Sequence, residues 1–151
     1  MKFPPIGQRS WGPRAVLALT GYDPSGYLRH ANDFTLAIAM VETREAIEAL
    51  DSILATPGID GVFVGPSDLS IALSNGGTID PQSADVDAAM TKIVAAAKAH
   101  GKFAAAFCHT GERANELARR GFALCSVASD QLLLRLAARQ ELAKARAKAA
   151  P

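Results

Sequence analysis

Short apolar runs alternate with longer amphipathic segments along most of this chain, from about residue 34 onward. Each run is apolar at consecutive positions rather than at every second one, which is typical of parallel strands covered on both faces. The predicted strands are residues 34–41, 61–64, 103–108 and 123–127. The pattern therefore predicts a parallel sheet.

A predicted helix follows each strand. These helices are expected at residues 44–55, at 69–73, from 80 onward, at 112–120 and from about 131 onward. Thr43 is a suitable N-cap for the first of them, and Gly121 is a suitable C-cap for the fourth. Four strand–helix units in succession indicate an α/β fold, either a doubly wound open sheet or part of a (β/α)8 barrel.

The first 33 residues contain many prolines and glycines, so we expect a loop-rich lead-in over residues 1–33. Within it, residues 14–19 are compatible with a short helix or a strand, and residues 27–32 with a short helix. A length of 151 residues suffices for one hydrophobic core. We therefore expect a single domain over residues 1–151.

Composition limits the kinds of molecule that we expect this protein to bind. The formal net charge is +1, without the basic excess of a nucleic-acid-binding protein. No apolar run approaches the roughly 20 residues of a membrane span, and the opening Met1-Lys-Phe-Pro-Pro lacks the apolar centre of a signal peptide. Cys108 and Cys125 lie in apolar runs and are expected to be buried, reduced thiols. We expect a cytoplasmic protein with neither nucleic acid nor membrane as partner.

Two acidic residues follow neighbouring predicted strands at the point where each strand ends, Glu42 and Asp68. In both candidate architectures, functional residues gather at the carboxyl ends of the strands. Parallel strands lie about 4.8 Å apart, and carboxylates that close repel each other unless a cation lies between them. Mg²⁺ and Mn²⁺ accept one or two carboxylates and keep positions for water and substrate oxygens. A metal site competes here with the simpler interpretation that each acid caps or pairs with a helix.

The turn from Gly65 to Asp68 adds a candidate anion site. Gly65 permits a close approach of the backbone to a ligand, and Pro66 stiffens the turn. The amides of Ser67, Asp68 and Leu69 are expected at a helix N-terminus, where a carboxylate binds well. A 2-oxo acid suits both features, because its keto and carboxylate oxygens can chelate a metal while its carboxylate meets the amides.

His109 also follows a predicted strand on this side of the sheet. It is a candidate general base acting through metal-bound water, or else a polar residue on the rim of the site. No lysine stands at the carboxyl end of a predicted strand, which disfavours an aldolase that works through a Schiff base.

Several of these motifs together resemble a known family. Glu42-Thr43 followed by Gly61-Val-Phe-Val-Gly-Pro-Ser-Asp-Leu-Ser70 is similar to the metal-dependent hydroxy-ketoacid aldolases of the 4-hydroxy-2-oxoheptanedioate type, with the citrate lyase beta subunit as a more distant relative. The resemblance extends to the opening Pro4-Pro5-x-Gly7-x-Arg9 and covers most of the chain.

The resemblance implies a (β/α)8 TIM barrel, usually assembled into a homo-oligomer. It implies a divalent metal, Mg²⁺ or else Mn²⁺ or Co²⁺, held by Glu42 and Asp68, with the carboxylate of pyruvate on the amides of Ser67 and Asp68. The implied reaction cleaves a 4-hydroxy-2-oxo acid to pyruvate and an aldehyde through a metal-stabilised pyruvate enolate. Gly65, Pro66 and Met40 are expected to line the substrate, although many relatives carry Gln where Met40 stands.

The resemblance also implies that this chain supplies about the last four strand–helix units, the carboxyl-terminal half of a barrel that takes about 250 residues. The catalytic His, Asp and Arg of the family then lie outside it. Three interpretations follow: an aldolase; a catalytically incomplete fragment or split-barrel partner that needs the other half; and a lyase of the citrate lyase type.

Overall fold

The computed structural model describes residues 2–147, which fold into eight helices and four strands. In chain order these are α1 Arg14–Thr20, α2 Pro24–Phe34, β1 Ile38–Val41, α3 Arg44–Glu48, α4 Leu50–Ala55, β2 Gly61–Val64, α5 Pro66–Leu73, α6 Ala84–Ala99, β3 Phe103–Cys108, α7 Gly111–Arg119, β4 Leu124–Val127 and α8 Asp130–Arg146.

The four strands form one parallel sheet in the order β1-β2-β3-β4. Val41 is paired with Val64, and Val64 with Ala106, so the carboxyl ends of the first three strands lie at one edge of the sheet. Sequential order is the order of a (β/α)8 barrel, whereas a doubly wound sheet reverses direction at a switch point. The prediction of a barrel-type α/β fold is confirmed, and the open doubly wound alternative is wrong.

Helices cover one face of this sheet. The main core joins Val41, Val62, Val64 and Ala106 from the strands to buried side chains of the helices. The largest of those helical side chains are Leu50, Leu54, Leu69, Met90, Ile93 and Leu117.

The opposite face is open among the described residues. Met40, Phe63, Ala105 and Leu124 are aligned in register across it, and Met40 and Leu124 are 53% and 46% exposed. The prediction that the strands are covered on both faces is therefore wrong at the outer strands β1 and β4 of residues 2–147, where Met40 and Leu124 are exposed, whereas Ala105 on β3 is buried. In a closed barrel this face is the packed interior.

The predicted strands 61–64 and 103–108 are confirmed at both ends. The strand predicted at 34–41 begins only at Ile38, because Phe34 is the last residue of α2. The strand predicted at 123–127 begins at Leu124.

The helices predicted at 112–120 and from about 131 each begin one residue earlier, and the first of these has its C-cap at Arg120 rather than at Gly121. The other three predicted helices need larger corrections. The helix expected at 44–55 is two helices that meet at Ala49, while Thr43 caps the first of them as predicted. Helix α5 begins at Pro66 rather than at residue 69, since proline fits the first turn of a helix. Helix α6 begins at Ala84, because the Ser83 side chain accepts a hydrogen bond from the Val86 amide and so caps it there, beyond the Asp80-Pro81 turn.

The lead-in is more ordered than predicted. Residues 14–20 form a helix, which decides between the two alternatives, and α2 extends well beyond the predicted 27–32. Phe3, Tyr27 and Ala31 form a second small core. The side chain of Asn32 accepts a hydrogen bond from the Phe3 amide at 2.7 Å and donates one to the Phe3 carbonyl at 3.0 Å. These contacts hold the first residues against α2.

The two cysteines are free thiols, as predicted, with Cys108 buried and Cys125 half-buried. Burial, with a smaller contribution from Cys125, raises the pKa of the Cys108 thiol to about 11, so it is a poor nucleophile. None of the helices within residues 2–147 has the length and apolar character to cross a bilayer.

An ion cluster joins α6 to α7 on the outer side of the core. Asp87 accepts hydrogen bonds from Arg120 and, at 3.3 Å, from Arg113. Arg113 also donates to Glu116 at 2.7 Å. Arg120 chiefly, and then Arg113, lower the pKa of Asp87 from its ordinary 3.8, and Arg113 lowers the pKa of Glu116. The cluster fixes α7, which follows the strand end that carries His109.

We expect Asp87→Asn to lower the free energy of unfolding by about 1 kcal/mol at neutral pH, since Asp87 is half-exposed and its ion pairs are partly screened. A carboxyl whose folded pKa is lowered stabilises the fold above its ordinary pKa, and that stability is lost as the pH falls. Urea unfolding should therefore show the difference from wild type shrinking as the pH falls below about 5 and through the lowered pKa of Asp87.

Asp85→Asn is the matched control, because Asp85 lies in the same first helical turn and also interacts with the helix dipole. An equal loss of stability in both variants would show that the dipole, rather than the arginines, accounts for the effect.

Candidate functional site

Glu42 lies at the carboxyl end of β1, beside the first residue after β2. A Cβ atom placed on Gly65 would lie 2.5 Å from Glu42 Oε2, so the carboxylate is packed against the Gly65 backbone. The N-cap of α3 is Thr43, whose hydroxyl accepts from the Ala46 amide at 3.1 Å. Glu42 has no ion-pair partner within residues 2–147, so the capping and salt-bridge alternatives for Glu42 do not hold there.

Asp68 stands in the first turn of α5, directly after the strand end. The N-cap position is Gly65, which has no side chain to satisfy the first amides of the helix. Because Asp68 lies inside the helix rather than at its N-cap, the alternative that it caps α5 does not hold. Ser70 secures this turn, since its buried hydroxyl donates to the Ser67 carbonyl at 2.6 Å and accepts from the Asp80 amide at 3.0 Å.

The start of α5 leaves two amides open. The amides of Ser67 and Asp68 make no hydrogen bond to any described residue. The Leu69 amide, expected to be the third, instead donates to the Gly65 carbonyl at 2.9 Å. The predicted anion site is therefore formed by two amides, because the first intrahelical hydrogen bond uses the third.

One open cleft of about 290 Å³ collects the residues singled out from the sequence. Its lining comprises Met40, Glu42, Phe63, Gly65, Pro66, Ser67, Asp68 and Phe107. Two of these, Phe63 and Phe107, were missed by sequence reasoning. Their positions on the strands were the available signal: Phe63 lies two residues before Gly65, and Phe107 two before His109, so each pair shares a face.

His109 lies beside this cleft rather than in its lining. Its Nε2 atom is 3.3 Å from Ser67 Oγ, and its ring meets the Phe107 ring edge to face at 5.0 Å. It lines instead a cavity of about 20 Å³ behind Pro66. Its predicted role as a base remains a prediction.

The donor set fits a hard divalent cation. The cleft contains two carboxylates and no histidine or cysteine, and residues 2–147 hold no cluster of three or more acidic, histidine or cysteine side chains. Zinc sites usually need at least three protein ligands, whereas Mg²⁺ is held by one or two carboxylates and completes its shell with water and substrate oxygens. Glu42 and Asp68 are the residues that would hold it.

Comparison with known proteins decides the family. The model of the HpcH/HpaI aldolase/citrate lyase family matches residues 9–137. The chain belongs to this family. The match covers the cleft and all four strands, which confirms the resemblance expressed by Glu42-Thr43 and by the turn from Gly65 to Asp68.

Individual relatives are also consistent with membership of this family. A hydroxypyruvate/pyruvate aldolase of Rhizorhabdus wittichii is 40% identical over 97% of this chain and 57% of its own length. The crystal structure of a family member from Burkholderia cenocepacia superimposes with a TM-score of 0.76 at 33% identity, covering 97% of this chain and 57% of that one.

A more distant structure is a citrate lyase beta subunit from M. tuberculosis complexed with oxaloacetate and magnesium. It matches with a TM-score of 0.53 at 27% identity, over 64% of this chain and 48% of that one. The chain thus spans little more than half the length of the relatives it matches.

We expect Gly65→Ala to weaken Mn²⁺ binding by about ten-fold or more, because the new methyl group would displace the Glu42 carboxylate. Isothermal titration with Mn²⁺ measures the change. Gly111→Ala is the matched control, since its Cβ would meet nothing within 4 Å. Unchanged Mn²⁺ affinity in Gly65→Ala would contradict the inference that the close packing of Glu42 on Gly65 positions its carboxylate for the metal.

Proposed function

We propose that this cleft binds a divalent cation, Mg²⁺ or else Mn²⁺ or Co²⁺, together with a small 2-oxo acid. The protein is then a class II, pyruvate-forming aldolase, which cleaves a 4-hydroxy-2-oxo acid to pyruvate and an aldehyde. One observation carries the proposal: two carboxylates and two open helix amides lie in the same cleft, within a chain of the aldolase family.

Each group in the cleft has a task suited to its chemistry. Glu42 and Asp68 would hold the cation, and the amides of Ser67 and Asp68 would bind the substrate carboxylate at the positive end of α5. Phe63 and Phe107 offer apolar walls for the carbon chain and limit access of water. When bound, the cation withdraws electron density from the 2-oxo group, which favours cleavage next to it.

The cleavage breaks the bond between C3 and C4 of the substrate. The electron pair of that bond passes toward the 2-oxo oxygen, the 4-hydroxyl proton goes to a base, and C4 leaves as an aldehyde. Protonation of C3 then gives pyruvate. The resemblance assigns the base to the half of the family barrel that this chain does not supply. The described cleft therefore supplies binding and charge stabilisation.

The relatives support this substrate class. One is named a hydroxypyruvate/pyruvate aldolase, and another was solved with oxaloacetate, itself a 2-oxo acid, and with magnesium. The aldolase is favoured over a citrate lyase-type enzyme, because the relative named a hydroxypyruvate/pyruvate aldolase is 40% identical over 97% of this chain, whereas the citrate lyase subunit is 27% identical over 64% of it.

We expect Glu42→Gln and Asp68→Asn each to weaken Mn²⁺ binding by about ten-fold or more, because each removes a charged oxygen ligand. Competition between Mn²⁺ and Mg²⁺, followed by the electron paramagnetic resonance of free Mn²⁺, measures both affinities. Glu45→Gln is the control, since Glu45 is exposed on the neighbouring helix and lies outside the cleft. Equal affinity in wild type and the double variant would refute the metal assignment.

We further propose that turnover requires a second polypeptide segment on the open face of the sheet. Met40, Phe63 and Leu124 lie on that face, and β1 and β4 each have one strand neighbour among the described residues. The occupant we propose is the remaining half of the family barrel, supplied by the same or another chain, because the relatives are almost twice as long. Unpaired edges and open apolar faces otherwise promote self-association.

We expect the 151-residue chain alone to bind Mn²⁺, to give no retro-aldol turnover, and to self-associate. Multi-angle light scattering should show less association for Leu124→Lys, which places a charge on the open face. Leu19→Lys is the control, because Leu19 is 86% exposed on α1, away from the sheet. Turnover by a monomer of this chain would contradict the proposal.

A further inference from the structure

The hydrogen bond between Ser67 and His109 connects the cleft to a side chain that the proposed chemistry leaves unused. Ser67 Oγ lies 3.3 Å from His109 Nε2. Ser67 lines the cleft, where its amide is one of the two open donors, whereas His109 does not. The contact between the imidazole and the cleft therefore runs through the Ser67 hydroxyl.

The exposed His109 side chain has the Phe107 ring as a packing neighbour. Its ring stands perpendicular to the Phe107 ring, at an interplanar angle of 86° and a centroid distance of 5.0 Å. The next residue, Thr110, is the N-cap of α7 and accepts from the Arg113 amide at 3.2 Å. The backbone on either side of His109 is thus fixed by β3 and by the cap of α7.

A serine hydroxyl has one proton to donate and two lone pairs that accept. If His109 Nε2 accepted a hydrogen bond from the Ser67 hydroxyl, that hydroxyl could not donate to a ligand. If His109 Nε2–H donates to Ser67 Oγ instead, the hydroxyl proton is free. An ionised carboxylate beside the Ser67 amide only accepts hydrogen bonds, so its presence favours the second arrangement.

We propose that His109 is a positioning residue for the Ser67 hydroxyl. Its Nε2–H group donates to Ser67 Oγ and orients the Ser67 O–H toward the carboxylate of the bound 2-oxo acid. The carboxylate then receives a hydroxyl hydrogen bond in addition to those from the amides of Ser67 and Asp68. This assignment rests on the proposed function for its ligand, but it needs neither turnover nor a catalytic base.

Isothermal titration of pyruvate into the chain with saturating Mg²⁺ tests the assignment. We expect His109→Ala to weaken pyruvate binding about five- to ten-fold, the effect of losing one neutral hydrogen bond, because the Ser67 hydroxyl is no longer held toward the carboxylate. His109→Gln should recover most of the affinity, because its side-chain amide can donate over a similar reach. His30→Ala, at an exposed histidine on α2, should leave the affinity unchanged.

Ser67→Ala supplies the decisive comparison, since it removes the hydroxyl and keeps the amide. We expect it to weaken pyruvate binding at least as much as His109→Ala does, and we expect the double variant to be no weaker than Ser67→Ala alone. Mn²⁺ affinity without pyruvate should be the same in all of these variants.

Three results would overturn the positioning role and leave the proposed function standing. They are wild-type pyruvate affinity in His109→Ala, an effect of His109→Ala that persists in full in the Ser67→Ala background, and a matching loss of Mn²⁺ affinity. Failure of the wild-type chain to bind pyruvate with Mg²⁺ present would instead overturn the proposed function, and this assignment with it.

Discussion

The carboxylate of Glu42 lies against the backbone of Gly65, and the arrangement of the cleft depends on this contact. Any side chain at Gly65 would occupy the space of Glu42 Oε2. The parallel register of β1 and β2 brings the two residues side by side, because Val41 is paired with Val64 and the next residues follow in step. Asp68 enters the same cleft three residues later, after α5 has begun at Pro66.

The same glycine accounts for the open amides at the start of α5, where we propose that an anion binds. A residue with a capping side chain at the N-cap would satisfy one of the first amides of α5. Gly65 cannot do so, and Pro66 has no amide proton, which leaves the amides of Ser67 and Asp68 for a ligand. One small residue thus makes room for a carboxylate on one side and keeps two donors free on the other.

The two faces of the sheet differ in burial, and the less buried face is the one that forms the interior of a closed barrel. The face of Val62 and Val64 is sealed by helices, whereas the face of Met40 and Leu124 is exposed among the described residues. The cleft opens at the carboxyl edge of this sheet, with Phe63 and Phe107 forming its apolar walls. We propose that a barrel half of this kind presents the metal ligands and the substrate-binding amides, while catalysis depends on groups from the other half.

Sequence patterns predicted the strands best where turns bounded them closely. Residues 61–64 lie between Gly58 and the Gly65-Pro66 turn, and both ends were predicted correctly. The start of β1 was misplaced because residues 34–37 are as apolar as a strand, yet the α2 helix runs through Phe34. Local sequence patterns do not show whether such a residue belongs to the preceding helix or to the strand, because tertiary packing decides it.

The site also combines residues that the sequence located with contacts that it could not predict. Glu42 and the turn from Gly65 to Asp68 were located by their place after strands, and Met40 by the family resemblance; the structure brings them into one cleft. The Leu69 amide is unavailable to a ligand because it donates to the Gly65 carbonyl. This follows from helix geometry once the helix start is known. The Ser67–His109 contact joins residues 42 positions apart, and only the register of β2 and β3 brings them together.

A crystal structure of this chain grown with Mn²⁺ and oxalate, with data collected at the manganese absorption edge, would show whether Glu42 and Asp68 hold the metal. The account predicts an anomalous peak coordinated by oxygens of both Glu42 and Asp68, with an oxalate carboxylate on the amides of Ser67 and Asp68. A manganese ion bound away from these two carboxylates, or no peak in the cleft, would contradict it.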